Sequence, residues 1–193
     1  MGWPRQQKRN TRQRILESAA RLFSRHGFDN VSIGDVMRGA GLTHGSFYTH
    51  FRSKQALYAE AVATAARASA LARLLEEGKQ RDLQQLLAGY LDISHVRQEP
   101  SPCPLAFLAT DVATREQEVR GAYTRVFRRL VAFLRHGLSS RPAADARERP
   151  MAVAALMIGG VAVSRALDDE ATAEALLAAC RRFGAELLGA APE

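Results

Sequence analysis

The sequence predicts an all-α protein with a small N-terminal domain, residues 1–54, and a larger helical domain, residues 55–193. Apolar residues recur at helical spacing along most of the chain, and the chain is 47% hydrophobic with only seven prolines. Charge divides it at the same point, because residues 1–54 hold ten of the 27 basic residues and three of the 20 acids, which accounts for the whole net charge of +7. A polyanion is therefore the predicted partner of the first domain, with nucleic acid favoured over an anionic membrane surface.

Two helices are predicted to open the first domain. The first covers TRQRILESAARLFSRHG, residues 11–27, and ends at Gly27, because glycine commonly terminates helices. Ser32 can cap a second, short helix, with Asp35 three residues on at the positive end of the helix dipole. The buried side of this helix would consist of Val36, Met37 and Ala40.

The stretch GLTHGSFYTHF, residues 41–51, completes a helix-turn-helix. Gly41 supplies the turn, Thr43 can cap the next helix, and Phe47 and Phe51 would anchor that helix to the core because they lie four residues apart. Its other sides would carry Thr43, His44, Ser46 and His50. Such short hydroxyls and imidazoles suit the major groove of DNA, where they meet base edges and phosphates.

An enzyme is the alternative interpretation of this stretch. Ser46 and His50 lie four residues apart, as a nucleophile and its base can. The stretch holds no carboxylate to orient the base, so a serine–histidine enzyme is less favoured than DNA binding. His44 and His50 diverge by about 240° around a helix and cannot share a metal ion. No metal and no cofactor are predicted.

Two consecutive motifs carry a resemblance to a known family. They are T-x-x-x-I-L-x-x-A-x-x-L-F-x-x-x-G-F-x-x-V-S-I and A-G-L-T-x-G-x-F-Y-x-H-F-x-S-K-x-x-L, and together they cover about residues 11–58. In these positions the chain resembles the N-terminal domain of the tetracycline-repressor (TetR) family of bacterial transcription regulators. The resemblance implies an all-helical homodimer with a DNA-binding head and a ligand-binding C-terminal domain, and it favours a repressor of an operator in double-stranded DNA.

The resemblance also implies roles for single residues. Thr43 would cap the recognition helix and touch a phosphate. The residues nearest the bases would be His44, Gly45 and Ser46. The other implied phosphate contacts are Ser32, Tyr48, Thr49, His50 and Lys54. A disordered N-terminal arm would add backbone or minor-groove contacts through Arg5, Lys8, Arg9 and Arg12.

The second domain is predicted to be helical throughout. Residues 53–78 form one long helix, another lies near residues 81–95, and PLAFLATDVATR and a long amphipathic helix follow the break QEPSPCP. Two helices of about residues 151–167 and 172–188 close the chain. Met151–Val163 is apolar nearly all round and contains Gly159-Gly160, which predicts burial on every side, against its own core and a partner subunit at once. The predicted homodimer interface is therefore about residues 150–188, where the resemblance also places it.

A pocket in the second domain is expected to bind a small apolar or aromatic effector. The candidate wall residues are Tyr90, Cys103, Phe107, Leu108, Tyr123, Phe127 and Met157. An ordinary core would use the same residue types, and this alternative stays open for each of them.

Cys103 is also a candidate sensor of electrophiles. It precedes Pro104 at the start of a predicted helix, whose dipole would lower the pKa of the thiol. The segment SPCPLAFLA resembles G-C-P-x-A-x-L-A in a branch of the family that includes cysteine-based repressors, although Ser-Pro stands where that branch has glycine. A buried, inert thiol is the alternative, and Cys180 is predicted to be packing.

The location of the protein follows from absent signals. The longest apolar run, about residues 151–163, is shorter than the ~20 residues that span a membrane. The basic N-terminus lacks the apolar stretch of a signal peptide, and two isolated cysteines predict no disulfide framework. The chain is therefore expected in the cytoplasm, without a membrane partner.

Overall fold

The computed structural model describes residues 3–69, 72, 83–98, 103–137 and 147–189, and every regular element in these ranges is a helix. The N-terminal elements are α1 (Trp3–His26), α2 (Ile33–Gly39), a 3-10 helix (His44–Thr49) and α3 (Lys54–Ala68). The later elements are α4 (Leu83–Tyr90), α5 (Ile93–Val96), α6 (Pro104–Phe107), α7 (Ala109–Ala113), α8 (Gln117–Gly137), α9 (Glu148–Ala166) and α10 (Glu170–Leu188).

The head, which consists of α1, α2, the 3-10 helix and α3, packs around aromatic rings. The Phe23 and Tyr58 ring centroids are 4.8 Å apart, and Phe28 packs against Tyr58 at 5.1 Å. Phe47 and Phe51 are buried, as predicted, with their ring centroids 5.8 Å apart. The predicted buried side of α2 is confirmed as well. Apolar spacing thus identified the buried residues of α2 and Phe47 and Phe51, whereas Phe28 and Tyr58 were not predicted.

The N-terminal arm is not disordered, contrary to the prediction, because α1 begins at Trp3 and is continuous to His26. Arg12 does not belong to a free arm either. Its guanidinium pairs with Glu60 of α3 at 2.6 Å and lies over the Phe51 ring, 4.6 Å from the centroid. It therefore joins α1 to α3 and the 3-10 helix.

The helix predicted over residues 53–78 ends at Ala68. Ser69 is extended (φ −72°, ψ 156°), its hydroxyl donates to the Ala66 carbonyl at 2.8 Å, and its oxygen accepts the Ala72 N–H at 3.4 Å. Serine competes with the helix in this way because its hydroxyl bonds nearby backbone groups. The rest of the predicted helix, residues 70–71 and 73–78, lies outside the described residues.

The helix predicted near residues 81–95 is also interrupted. The structure has two helices there, α4 and α5. The Asp92 carboxylate accepts the Ser94 N–H at 2.9 Å and so caps the second of them. The stretch PLAFLATDVATR likewise forms two short helices, α6 and α7, that meet at Leu108. A capping side chain, Asp92, therefore decided the first break, whereas Leu108 makes no side-chain capping hydrogen bond at the second.

The larger body is organised around α8, α9 and α10. Helix α8 packs against α3 of the head on one side and α9 on the other, and α9 packs along α10. The core of the head continues into the body through Leu108, Val112, Val119 and Ala122. Head and body therefore share a continuous apolar contact along α3 and α8.

In a single chain, helix α9 is buried on one side and exposed on the other, so the predicted burial of its second side against a partner subunit stays a prediction. Met151 and Val163 are 52% and 51% exposed, and Phe183 of α10 is 48% exposed. Gly159 and Gly160 lie on different sides of α9. A Cβ on Gly160 would lie 3.0 Å from Cys180 Sγ, inside the body, whereas a Cβ on Gly159 would meet nothing within 4 Å. The open side of α9 thus runs past Gly159, not Gly160.

None of the described helices is long and apolar enough to cross a membrane.

Candidate functional site

The turn between α2 and the 3-10 helix is held by backbone and side-chain contacts. Gly41 adopts φ +65°, a left-handed conformation that glycine reaches without a steric penalty. The Leu42 N–H donates to the Met37 carbonyl at 2.9 Å, and the Arg14 guanidinium of α1 donates to the Ala40 carbonyl at 2.6 Å. Arg14 was not singled out in the sequence, where it was one basic residue among ten. The turn fixes how the 3-10 helix projects from the head.

One side of the 3-10 helix is a continuous exposed surface. Its members are Thr43, His44, Gly45, Tyr48 and Thr49. Tyr48 is 65% exposed while its ring packs edge-on against Phe47, 5.1 Å between centroids. A Cβ on Gly45 would meet no atom within 4 Å, so the protein itself does not require glycine there. This side can lie directly against a partner.

Capping of the 3-10 helix differs from the prediction. Thr43 occupies the N-cap position, but its side chain makes no capping hydrogen bond. Instead, the Ser46 hydroxyl donates back to the Thr43 carbonyl at 2.8 Å. The tight 3-10 turn brings these two groups together. A base contact by Ser46 would therefore require its hydroxyl to leave Thr43, whereas Thr43 remains on the exposed side.

His50 lies at the junction of the 3-10 helix and α1. Its Nδ1 atom is buried without a hydrogen-bond partner. Burial, aided by the positive charges of Lys8 and Arg12, lowers the pKa of the imidazole. A neutral ring with one nitrogen turned inward has at most its other nitrogen for a phosphate, so His50 is a weaker contact than a histidinium would be.

Ser32 and Lys54 are both engaged within the head. The Ser32 hydroxyl donates to Asp35 at 2.6 Å and accepts the Asp35 N–H at 3.1 Å, which completes a capping box. Lys54 Nζ donates to the Phe28 carbonyl at 2.6 Å and lies 4.1 Å from the Phe28 ring centroid, and burial lowers its pKa. Lys54 has further N–H donors, but Ser32 would have to give up Asp35 to contact a phosphate.

Two exposed arginines extend the basic surface beyond the predicted residues. The Arg38 side chain of α2 is 79% exposed and pairs with Asp35 at 3.1 Å, and Arg52 is 75% exposed and pairs with Glu118. Exposed pairs of this kind exchange readily for another anion because water already screens them. Their position beside the helix-turn-helix was the sequence signal that could have identified them.

Arg115 joins the head to the body. Its guanidinium bonds Asp29 at 2.6 Å and Asp111 at 2.7 Å and lies 4.6 Å from the Phe28 ring centroid. Asp111 also accepts the Tyr58 hydroxyl of α3. These side chains connect the end of α1, α3 and the start of α8. A shift of α8 would therefore change the position of α1 and α3 in the head.

A cavity of about 460 Å³ lies between α3 and α8. Its described lining consists of Ala63, Ala66, Arg67, Ser69, Ala72, Cys103, Ala122, Arg125, Val126, Arg129 and Leu130. Only Cys103 of the predicted wall residues lines it. Tyr90, Phe107, Leu108 and Met157 are buried in the apolar cores, and Tyr123 and Phe127 are partly buried against them. For this cavity, therefore, the core alternative describes those six residues better.

The Cys103 thiol differs from the predicted reactive one. It is 2% exposed, it accepts a hydrogen bond from the Tyr90 hydroxyl at 3.6 Å, and burial raises its pKa. Helix α6 is only four residues long, so its dipole is too weak to offset the loss of water. The prediction of a lowered pKa is wrong. Cys180 is partly buried beside Gly160, and its pKa is raised as well.

We expect Cys103 to react slowly in the folded protein, because both its burial and its raised pKa keep the thiolate scarce. In a Cys180→Ser variant, where Cys103 is the remaining thiol, N-ethylmaleimide should label at least about tenfold more slowly in buffer than in denaturant. Mass spectrometry over time measures both rates. Equal rates, with release of bound DNA on labelling, would instead support an electrophile sensor.

Comparison with known proteins agrees with the head and the fold. Residues 15–61 match the family model described as bacterial regulatory proteins, tetR family. The chain is 43% identical over 56 residues to the HTH-type transcriptional regulator AcrR of Shigella flexneri, a match that covers 29% of this chain and 26% of that protein. It is 26% identical over 136 residues to the HTH-type transcriptional repressor NemR of Escherichia coli K12, with 68% of each chain covered.

The fold is shared over a longer part of the chain. A crystal structure of a TetR transcriptional regulator from Chloroflexus aurantiacus superposes with a TM-score of 0.75 at 24% identity and covers 92% of this chain and 96% of that one. By sequence, the chain spans about a quarter of the length of curated relatives such as AcrR. The predicted all-α fold is confirmed, and the match of residues 15–61 to the family model agrees with the resemblance of the head.

Proposed function

We propose that this chain is a regulator of the TetR family that binds an operator in double-stranded DNA as a homodimer and represses transcription until a small molecule binds its body. It is a DNA-binding regulator by its head, and two of its curated relatives, NemR and AcnR, are named as repressors. Proteins of this family generally act as DNA-binding regulators rather than enzymes. The operator, the partner and the effector are proposals argued below.

The exposed side of the 3-10 helix carries the proposal. Phe47 turns inward at 0% exposure while Tyr48, the next residue, is 65% exposed, so the helix is docked to the core by one side and presents the other. His44 and Gly45 project at its start, where recognition helices contact base edges. Tyr48 and Thr49 supply hydroxyls of the kind that bond phosphates.

The charge of the head supports a nucleic-acid partner. Residues 1–54 carry the whole net charge of the chain, and α1 places Arg5, Lys8 and Arg9 on one continuous helix. The proximity of Lys8 to the 3-10 helix is evident in its effect on the pKa of His50. We propose that these side chains contact phosphates beside the groove, with Arg38 and Arg52 added to the predicted set.

The alternative enzyme has little support from the geometry. The Ser46 hydroxyl bonds the Thr43 carbonyl rather than His50, and the His50 Nδ1 atom lies buried without a partner. A nucleophile and its base need a hydrogen bond between them and a third group that orients the base. Among the described residues, no cluster of three His, Cys, Asp or Glu side chains could hold a metal ion either.

Release of DNA is proposed to act through α8. This helix lines the cavity with Arg125 and Arg129, and it packs against α3 of the head. Arg115, just ahead of α8, ties Asp29 of the head to Asp111. A ligand that shifts α8 relative to α3 would change the spacing of the two heads of a dimer, and DNA affinity would fall if only one spacing fits the operator.

Selection from a random DNA pool tests this function. The full chain should enrich an inverted repeat whose half-sites lie about 34–36 Å or somewhat more apart, because a two-fold dimer presents two copies of the same helix. Its affinity should fall by about 10³-fold between roughly 50 and 200 mM salt if six or more phosphates are contacted. Sequencing of the pool and fluorescence anisotropy on the enriched site supply the two measurements.

His44→Ala should change which bases are enriched, with a loss of about 1–3 kcal/mol per half-site on the wild-type repeat. Lys54→Ala is less diagnostic than the sequence suggested, because this side chain also bonds Phe28 within the head. No enrichment by the wild-type protein, or binding that ignores salt, would contradict the proposal.

A further inference from the structure

We propose that the cavity between α3 and α8 selects an anionic ligand with an apolar body, such as an aryl or alkyl carboxylate or sulfonate. This inference rests on the proposed function, because it names the chemical class of the effector. It also replaces the expectation of a small apolar or aromatic effector. The two parts of the lining, one cationic and one apolar, carry the argument.

Three arginines line the cavity from two helices. Arg67 lies in the last turn of α3, and Arg125 and Arg129 lie one turn apart on α8. Within the described parts of the chain, none of the three forms an ion pair, and Arg67 donates only to the Thr64 hydroxyl, at 3.1 Å. Like charges four residues apart on a helix repel each other. An anion between them would relieve that repulsion and accept their N–H donors.

Three other arginines of the molecule hold carboxylates instead. Arg12, Arg97 and Arg115 each pair with a carboxylate, at 2.6, 2.5 and 2.6 Å. Those ion pairs join separate elements of the fold. The three cavity arginines, in contrast, are exposed and form no ion pair with any of the described residues. Arg67 also lies favourably at the negative end of the α3 dipole. That explanation does not extend to Arg125 and Arg129, which lie in the middle of α8.

The floor of the cavity is apolar. It is formed by small side chains of α3, among them Ala63 and Ala66, and by Ala122, Val126 and Leu130 of α8. Ala122 and Leu130 are each 1% exposed, and Cys103 closes the floor at 2%. A volume of about 460 Å³ suits a small organic ligand. The cavity thus matches a molecule whose anionic group meets the arginines while its rings or chain cover the alanines.

The test compares two probes that differ in one charge. The anionic probe is 1-anilinonaphthalene-8-sulfonate, and the uncharged one is N-phenyl-1-naphthylamine, which has the same rings without the sulfonate. Both are titrated by fluorescence into the full chain and into Arg125→Gln, Arg129→Gln and the double variant. The matched control is Arg128→Gln, an exposed arginine of α8 that is not among the residues lining the cavity.

We expect the sulfonate to bind about five- to tenfold more weakly to each single variant and at least about thirtyfold more weakly to the double variant. The uncharged probe should bind the two single variants and the double variant within about twofold of wild type, and Arg128→Gln should match wild type for both probes. Ala66→Phe, which fills the floor, should abolish saturable binding of both probes. Far-ultraviolet circular dichroism and thermal midpoints verify that each variant is folded.

The inference would be overturned if the sulfonate showed no saturable binding to the wild-type protein, or if Arg128→Gln weakened sulfonate binding as much as the cavity variants do. It would also be overturned if the cavity variants bound the uncharged probe as weakly as the sulfonate, or if Ala66→Phe bound both probes as tightly as wild type. The proposed function fails on a separate measurement, the enrichment of an inverted repeat in the absence of any probe. Arginine-dependent sulfonate binding without DNA enrichment would leave an anion site on a protein of another function. If the protein enriched an inverted repeat but the arginine variants bound the sulfonate as wild type does, the protein would be a regulator whose effector is not an anion.

Discussion

Gly159→Glu is expected to convert the protein into a monomer and to lower its affinity for an inverted repeat by about a hundredfold or more. In a dimer, binding of one head raises the effective concentration of the other head at the second half-site, and a monomer lacks this advantage. A Cβ at Gly159 would meet nothing of its own chain within 4 Å, so the added carboxylate projects from the open side of α9. Met151, Val163 and Phe183 lie exposed on α9 and α10, and a partner would bury them. A glutamate there would have to enter the apolar contact without a counter-charge.

The substitution leaves the folded chain itself intact. Glutamate favours a helix over glycine by about 0.5–1 kcal/mol, so α9 should be at least as stable as before. Gly160→Glu would not serve, because a side chain there meets Cys180 and Leu91 and would disrupt the body. Thr124→Glu, on the exposed side of α8, controls for the added charge. Sedimentation at low micromolar concentration measures the oligomeric state of each variant. If Gly159→Glu were still a dimer, the interface would lie elsewhere.

Phe47→Ala and Tyr48→Ala, one residue apart, are expected to weaken DNA binding alike but to differ greatly in their effect on the free energy of unfolding. Phe47 is fully buried against Phe51, and its truncation should cost about 3–5 kcal/mol of the roughly 5–15 kcal/mol that stabilise a domain. Tyr48 is 65% exposed, so its truncation should change the free energy of unfolding by no more than about 0.5 kcal/mol. DNA binding should fall in both variants, in the first because the 3-10 helix loses its support and in the second because a contact is lost.

Urea denaturation and anisotropy on the selected repeat separate the two causes. Phe47→Leu retains an apolar side chain and should recover much of the stability and the binding. Tyr48→Phe removes only the hydroxyl and should lose affinity for all sequences about equally, as expected for a phosphate contact. If Tyr48→Ala instead left DNA binding unchanged, the exposed side of the 3-10 helix would not be the surface that meets the duplex.

Side-chain capping explains where the predicted helices were too long. Helical periodicity continues through Ser69 and Leu91 in the sequence, yet the structure breaks at both, because the Ser69 hydroxyl and the Asp92 carboxylate bond local N–H groups. The opposite error occurred at the N-terminus, where a disordered arm was expected and α1 is a continuous helix from Trp3. The pairing of Arg12 with Glu60, 48 residues away, lies beyond the reach of any local pattern.

From the sequence alone it was possible to predict the all-helical class, the helix-turn-helix with its buried Phe47 and Phe51, the basic head and its resemblance to the TetR family. These follow from spacing, capping residues and charge, which are local properties of the chain. Only the tertiary structure decided that Cys103 is buried with a raised pKa, that Gly159 rather than Gly160 opens outward, and that Arg67 meets Arg125 and Arg129 across a cavity. Each of these depends on how far one helix is rotated and which helix lies opposite, and a pattern along a single helix does not contain that information.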